Sequence, residues 1–264
     1  MTETSLPRWQ PTPLVQASLG LHVVAAAGLF TPAWPWSVGA LLADHALVTA
    51  TGLWPRSTWL GANLTHLPRQ SPQVAITIDD GPDPEVTPAV LDLLDAQQAV
   101  ATFFCIGATV RRHPALAREI VRRGHALGNH SQHHRHYFSL LGPGALRREI
   151  SAAQDSIAQA TGVRPAWFRA PAGLRNVFLD PVLHGLDLRL ASWTRRGFDT
   201  RTGDAGLVLR RLTRDLAPGD ILLLHDHRAA RTPQGRPVLL DVLPPLLQTL
   251  HARGLQTVRL EPSV

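Results

Sequence analysis

The stretch from Val74 to Pro84 constrains the fold of this chain most strongly. It reads Val-Ala-Ile-Thr-Ile-Asp-Asp-Gly-Pro-Asp-Pro, an apolar, β-branched run that ends on two adjacent acids and a turn. Such a run predicts a buried strand with Asp79 and Asp80 at its C-terminal end. Neighbouring strand residues point to opposite faces, but Gly81-Pro82 turns the chain and can direct both carboxylates to one site. The alternative is an ordinary strand-to-helix loop in which both acids are solvated.

From this strand onward, short apolar runs alternate with helical patterns. Continuous apolar strands separated by helices predict a parallel sheet covered by helices, hence an α/β barrel or a doubly wound sheet. About 200 residues are ample for one such domain with a full core. The predicted strands are 74–80, 101–107, 125–130, 166–171, 188–193, 220–226 and 255–260. The predicted helices are 88–97, 114–123, 143–161, 176–184, 204–216 and 238–253.

Polar side chains gather at the C-terminal ends of the predicted strands. In strand order these residues are Asp79 and Asp80, His130, Arg169, Trp193, and His225 with Asp226. In an α/β barrel the C-terminal ends of the strands form the active-site face. Because several acids, histidines and an arginine share this rim, the sequence indicates an enzyme.

The segment His130-Ser-Gln-His-His134 contains side chains typical of metal sites. Histidines at positions i and i+4 lie on one face of a helical turn, and a carboxylate from the first strand completes a three-ligand set with positions open for water. We expect His133 and His136 to be supporting or exposed residues. One alternative is a histidine-rich surface loop. Another is a non-haem iron oxygenase, which also uses two histidines and one carboxylate.

Four motifs together resemble those of the polysaccharide deacetylase family, the NodB-homology carbohydrate esterases of family 4. The motifs are Thr77-Ile-Asp-Asp-Gly-Pro82, His130-Ser-Gln-His-His134, Arg169-Ala-Pro-Ala-Gly173 and Leu222-Leu-Leu-His-Asp226. The resemblance covers about residues 71–260 and implies a distorted (β/α)7 barrel of the polysaccharide deacetylase type. It also implies a hydrolase that removes an acetyl or formyl group from an N-acylated amino sugar in a polymeric or lipid-linked carbohydrate.

The resemblance further implies a role for each matching residue. Asp79 would be the general base, and His225 would be the general acid. Asp80, His130 and His134 would bind one divalent metal ion, for which we expect Zn²⁺ ahead of Co²⁺, Ni²⁺ or Mn²⁺. An inactive, membrane-tethered carbohydrate-binding barrel is a further alternative, which the loss of a ligand or of the base would have favoured. Neither is lost.

Further residues would support this chemistry. Arg169 would orient the base, the backbone N–H at Ala172 would bind the oxyanion, and Leu223 and Trp193 would line the acyl pocket. Ala172 departs from the family, which often has an aromatic residue there.

A second departure lies in the segment after Trp193. Arg196 stands where many relatives carry an aspartate, and we expect Asp199 to hold the catalytic His225 instead.

The N-terminal region has a membrane-like composition. Residues 9–55 contain no Lys or Arg, and Asp44 is their only formal charge. Two apolar segments, 14–30 and 36–54, approach the roughly 17–25 residues that a membrane span needs. We therefore expect a hydrophobic helical hairpin in the membrane within residues 1–62, a linker at 63–73 and a catalytic domain at 74–264. The alternatives are a signal peptide and a soluble hairpin packed on the barrel.

Charge patterning gives two further expectations. Arg8, Arg56 and Arg69 flank the apolar region while its central connection has none, so the positive-inside rule predicts a catalytic domain on the cytoplasmic face of a bacterial inner membrane. A lipid-linked sugar would then be the accessible substrate. The net charge of +6 comes from scattered arginines without an aromatic-basic module, so we expect no nucleic-acid partner.

Overall fold

The computed structural model describes residues 8–261, and its strands form one parallel sheet. The strands are β1 Gln73–Asp79, β2 Ala101–Cys105, β3 Ala126–Asn129, β4 Trp167–Phe168, β5 Arg189–Leu190, β6 Arg195–Arg196, β7 Ile221–His225 and β8 Gln256–Thr257. Seven follow the order β5-β4-β3-β2-β1-β7-β6, and β8 pairs with β1. The predicted α/β barrel is thus confirmed as a curled half-barrel. The outermost parts of the predicted regions, residues 1–7 and 262–264, lie outside the described residues.

Helices cover the outer face of this sheet, and two more precede it. They are α1 Pro13–Gly28, α2 Trp34–Leu53, α3 Thr87–Ala96, α4 Gly107–Arg112, α5 Pro114–Arg122, α6 Pro143–Thr161, α7 Leu179–His184, α8 Ala205–Thr213 and α9 Val238–Ala252. The sequence did not predict β6 or α4. Both are short, and the two charged residues of β6 become a strand only because they pair with β7.

Strand β1 is the centre of the core because both of its faces are covered. Val74, Ile76 and Ile78 pack outward among the apolar residues of the helices, whereas Ala75 faces the barrel interior. Side chains alternate along a strand, so Thr77 and Asp79 share the inner face with Ala75. The alternation therefore directs the last residue of β1 into the barrel.

Helices α1 and α2 lie against each other through a polar contact between Ser18 and Asp44, whose oxygens are 2.7 Å apart. The end of α2 contacts the domain, where the backbone N–H of Arg175 donates to Gly52 O. Among the helices of residues 8–261, none reaches the combination of length and hydropathy that a membrane span requires. The predicted transmembrane hairpin is therefore not confirmed.

The segment predicted as a linker runs along the edge of the sheet. The backbone N–H of Leu64 donates to Leu190 O at 2.9 Å, and Ser192 N–H donates to Leu64 O at 2.8 Å. Further along, Leu67 N–H donates to Gly219 O at 2.8 Å. An unpaired strand edge exposes N–H and C=O groups to other chains, and these contacts cover that edge at β5.

Candidate active site

The turn after β1 brings the two adjacent acids to one cavity. Asp79 ends the strand on its inner face, and Asp80 leaves the strand with φ of 79°. This left-handed conformation is more accessible to aspartate than to most residues, and it reverses the direction that strand alternation would give to Asp80. Both carboxylates line the cavity, as the sequence predicted.

Asp80, His130 and His134 converge as a set of three metal-ligating side chains. The Oδ1 atom of Asp80 lies 3.4 Å from His130 Nε2 and 3.3 Å from His134 Nε2. That oxygen is buried, and it has no hydrogen-bond partner among the described residues. His130 Nδ1 lies 2.8 Å from Arg169 O. A carbonyl only accepts, so Nδ1 carries the proton and the Nε2 lone pair is available to a ligand.

The ionisation states of these residues suit a divalent metal. Burial raises the pKa of Asp80, but the nearby His130, with the charges of His134 and His225, holds it well below its usual range. Burial and the neighbouring His130 lower the pKa of His134 to about 4. A deprotonated carboxylate and a neutral imidazole are the forms that bind Zn²⁺. The residues present therefore fit the metal that the family resemblance implies.

The second and third ligands lie on a loop, and the predicted helical turn is wrong. Ser131 and His134 have φ of 64° and 49°, which no α-helix contains. Glu149 of α6 holds this loop, because its carboxylate accepts from the backbone N–H of His133 at 3.1 Å and from Arg135 Nε at 2.9 Å. His133 is thus a supporting residue, as expected. The sequence did not indicate that Glu149 holds this loop, because Glu149 is distant from the histidines along the chain.

Arg169 is buried directly behind Asp79. Its Nη1 atom donates to Asp79 Oδ1 and to Thr77 Oγ1, both at 2.7 Å, and Nη2 donates to Ser192 O at 2.7 Å. The guanidinium carbon lies 4.1 Å from the centre of the Phe104 ring. These contacts leave Arg169 one orientation, so it positions the carboxylate of Asp79 at the cavity wall.

His225 ends β7 beside Asp79 and is held by Asp199. The two carboxylate oxygens of Asp199 accept from His225 Nδ1 at 2.9 Å and from the backbone N–H of His225 at 2.7 Å. Since the proton on Nδ1 is bound by Asp199, Nε2 is the ring nitrogen left to contact a molecule in the cavity. Burial lowers the pKa of His225, but Asp199, with the charges of Asp79 and Asp80, outweighs burial and raises that pKa above its usual value.

The remaining predicted residues line the same cavity, whose volume is about 250 Å³. Ala172, Leu223 and Trp193 contribute to its wall. Ala172 has φ of 55°, a strained conformation for alanine that is concentrated at functional sites. Sequence reasoning missed Thr200 and Arg228, which also line the cavity. Arg228 follows the fourth motif by two residues, and this proximity was the one signal available.

A buried carboxyl group, Asp226, supports the turn from below. Burial raises the pKa of Asp226 to about 7. Its Oδ2 atom accepts from Thr87 Oγ1 at 2.5 Å. A Cβ atom added to Gly81 would lie 2.3 Å from the same oxygen. The turn that aims Asp79 and Asp80 therefore needs glycine at position 81.

The fold and the site together define an α/β half-barrel with a centre that can hold a metal ion. The family profile described as polysaccharide deacetylase matches residues 66–191. A peptidoglycan-N-acetylglucosamine deacetylase of Bacillus cereus is 35% identical over 183 residues, which cover 69% of this chain and 84% of that protein. A chitooligosaccharide deacetylase of Azorhizobium caulinodans is 35% identical over 156 residues, which cover 58% of this chain and 73% of that protein.

Solved structures agree with these sequence matches. A family 4 carbohydrate esterase from Streptomyces lividans, in complex with acetate, superposes with a TM-score of 0.65 at 30% identity. The match covers 72% of this chain and 93% of that structure. The chain therefore belongs to the polysaccharide deacetylase family, the NodB-homology carbohydrate esterases of family 4. It is a hydrolase of the amidase type, and this membership favours hydrolysis over the oxygenase alternative.

Proposed function

We propose that this protein removes the acetyl group from N-acetylated amino sugars of a glycan, with Asp79 as general base and His225 as general acid. The observation that carries the proposal is the convergence of two separately held groups on one cavity. Arg169 holds Asp79, and Asp199 holds His225. Asp79 and His225 are register partners on the adjacent strands β1 and β7.

Asp80, His130 and His134 would hold the metal ion. When bound, a divalent ion lowers the pKa of water and polarises the amide carbonyl, which makes attack on an N-acyl group feasible at neutral pH. The separations of 3.3–3.4 Å between Asp80 Oδ1 and the two Nε2 atoms support this assignment. Zn²⁺ suits a ligand set of two imidazoles and one carboxylate.

The other residues move protons and hold charge. Asp79 accepts the proton of the attacking water, and Arg169 keeps that carboxylate turned toward the cavity. The backbone N–H of Ala172 donates to the oxyanion as the carbonyl carbon becomes tetrahedral. An amine leaves poorly unless it is protonated, so His225 donates a proton to the nitrogen as the C–N bond breaks. The products are acetate and the free amino sugar.

The relatives guide the choice of substrate. One is named for peptidoglycan N-acetylglucosamine and another for chitooligosaccharides, so N-acetylglucosamine within a glycan is their common element. We propose the same unit for this chain, in a polymeric or lipid-linked carbohydrate.

Release of acetate and formate should be measured with chitooligosaccharides, peptidoglycan fragments and a lipid-linked N-acetylated sugar. We expect acetate from at least one of them, with zinc-loaded enzyme. The variant Asp79→Asn keeps the shape of the base but cannot accept a proton, so it should lose nearly all turnover while it retains metal. Near-normal rates in this variant would remove Asp79 from the role of base. Absence of acetate from every substrate would overturn the proposed activity.

A further inference from the structure

A second cluster of metal-ligating side chains lies on the N-terminal helices, outside residues 66–191 that match the family. It consists of His22 on α1 and of Asp44 and His45 on α2. One ligand atom from each residue lies within 4.8 Å of the others. None of these side chains takes part in the proposed deacetylation, and none of the three lines the catalytic cavity.

Asp44 is a buried carboxylate, and no Lys or Arg of residues 8–261 forms an ion pair with it. Its side chain is 8% exposed, and Ser18 Oγ donates to it at 2.7 Å. The ion pair that the described residues form with it joins His22 Nδ1 at 3.8 Å. Residues 9–55 contain no Lys or Arg, so neither helix carries a permanent cation. A carboxylate is costly to bury unless a positive group neutralises it. Within this hairpin, that positive charge can come from the two histidines or from a bound cation.

Each histidine is held through Nδ1 by a backbone carbonyl one turn earlier in its own helix. His22 Nδ1 lies 2.7 Å from Ser18 O, and His45 Nδ1 lies 2.9 Å from Leu41 O. These carbonyls only accept, so each Nδ1 carries a proton and each Nε2 keeps a lone pair. The ring centres are 5.1 Å apart. The same device, a carbonyl on Nδ1, orients His130 in the catalytic site.

We propose that His22, Asp44 and His45 form a second site for a divalent transition metal of the zinc type. Two imidazole nitrogens and one carboxylate oxygen suit Zn²⁺, and small side-chain rotations bring atoms 4.8 Å apart to a common ion. Both histidines are partly open to solvent, so water completes the coordination. The ion neutralises Asp44 and joins α1 to α2, which is a structural role.

Metal content of the full chain tests this inference separately from the deacetylase activity. After equilibration with zinc and gel filtration, the unsubstituted protein should retain two zinc ions per chain. The double variant His22→Ala/His45→Ala should retain one ion with unchanged deacetylase activity. A variant with Asp80→Asn and His130→Ala should also retain one ion, without activity. His66→Ala, which removes an exposed histidine of neither cluster, should retain two.

Asp44→Asn provides a second variant that preserves side-chain shape. The single variant Asp44→Asn should retain one zinc ion. In a triple variant that combines Asp44→Asn with Asp80→Asn and His130→Ala, zinc should not raise the melting temperature. In the variant with Asp80→Asn and His130→Ala but without Asp44→Asn, zinc should raise the melting temperature, because a ligand that binds only the folded state stabilises it. One ion in the unsubstituted protein, or two ions in either hairpin variant, would overturn the second site and leave the catalytic proposal intact.

Discussion

Replacing Asp199 with Asn alters the group that holds His225, and we expect a loss of activity that depends on pH. Asp199 is fully buried, and its two oxygens accept from His225 Nδ1 and from the backbone N–H of the same residue. Asparagine has one acceptor oxygen in place of two. Its NH₂ group therefore faces one of the two N–H groups that Asp199 now binds, so His225 loses one of the two hydrogen bonds that orient it.

The magnitude follows from the lost contact. A hydrogen bond to a charged group contributes about 1.5–3 kcal/mol to a buried pair. If Asp199 stabilises the reacting His225 by that amount, kcat/KM falls by about 10- to 150-fold, since about 1.36 kcal/mol is a factor of ten. Activity should fall more steeply at alkaline pH, because Asp199 helps to raise the pKa of His225.

Asp199, together with the charges of Asp79 and Asp80, holds the pKa of His225 above its usual value in spite of burial. A general acid must be protonated, so activity is lost as pH rises through this pKa. Without the carboxylate the pKa drops, and the alkaline limb of the profile should move to lower pH. The raised pKa also means that the pair stabilises the fold below the unfolded-state pKa, and that this contribution is lost as pH rises through the folded-state pKa.

The assay is acetate release from the best substrate, measured as kcat/KM across pH with zinc-loaded enzyme. Asp215→Asn is the matched control, because it makes the same chemical change at an exposed aspartate. Its profile should coincide with that of the unsubstituted protein. An Asp199→Asn profile with an unmoved alkaline limb and a rate within about twofold of the control would refute the coupling between Asp199 and the catalytic acid.

Four further predictions concern the metal, the turn, the core and the location. The catalytic metal should be lost in each of the variants Asp80→Ala, His130→Ala and His134→Ala, since three protein ligands leave none spare. If elemental analysis finds the catalytic site of a variant fully occupied by metal, the substituted residue is not a ligand. Gly81→Ala should reduce activity at least tenfold (about 1.4 kcal/mol), because its Cβ would meet the Asp226 carboxylate at 2.3 Å; unchanged kinetics would contradict this. Leu91→Ala should lower the free energy of unfolding by about 2–5 kcal/mol in urea, since Leu91 is fully buried, with unaltered kcat per folded molecule. The arginines that flank residues 9–55 lead us to propose a cytoplasmic catalytic domain. A fluorescent protein that folds only in the cytoplasm, fused after Val264, should then be fluorescent, whereas phosphatase activity from the same position would contradict this location.

The apolar run of β1 and the acids that follow it made the core of the fold predictable. A strand buried on both faces needs continuous apolar residues, so the run that contains Val74, Ile76 and Ile78 indicates a parallel sheet by its composition alone. Helices with long apolar periodicity, such as α6 and α9, were predicted to within a few residues. Short elements were not, because the two residues of β6 are a strand only through their pairing with β7.

The candidate site also contains some features that the local sequence predicted and others that only the tertiary structure decided. Local sequence determined which side chains end the strands, because the last residue of a strand in a parallel sheet reaches the rim whatever packs around it. The contacts between distant residues were decided by tertiary structure: the hold of Glu149 on the histidine loop, the position of Arg228 at the cavity, and the meeting of His22 with Asp44. The order of residues along the chain does not show how far apart residues of different helices lie in space. Only the packing of those elements brings such groups within bonding range.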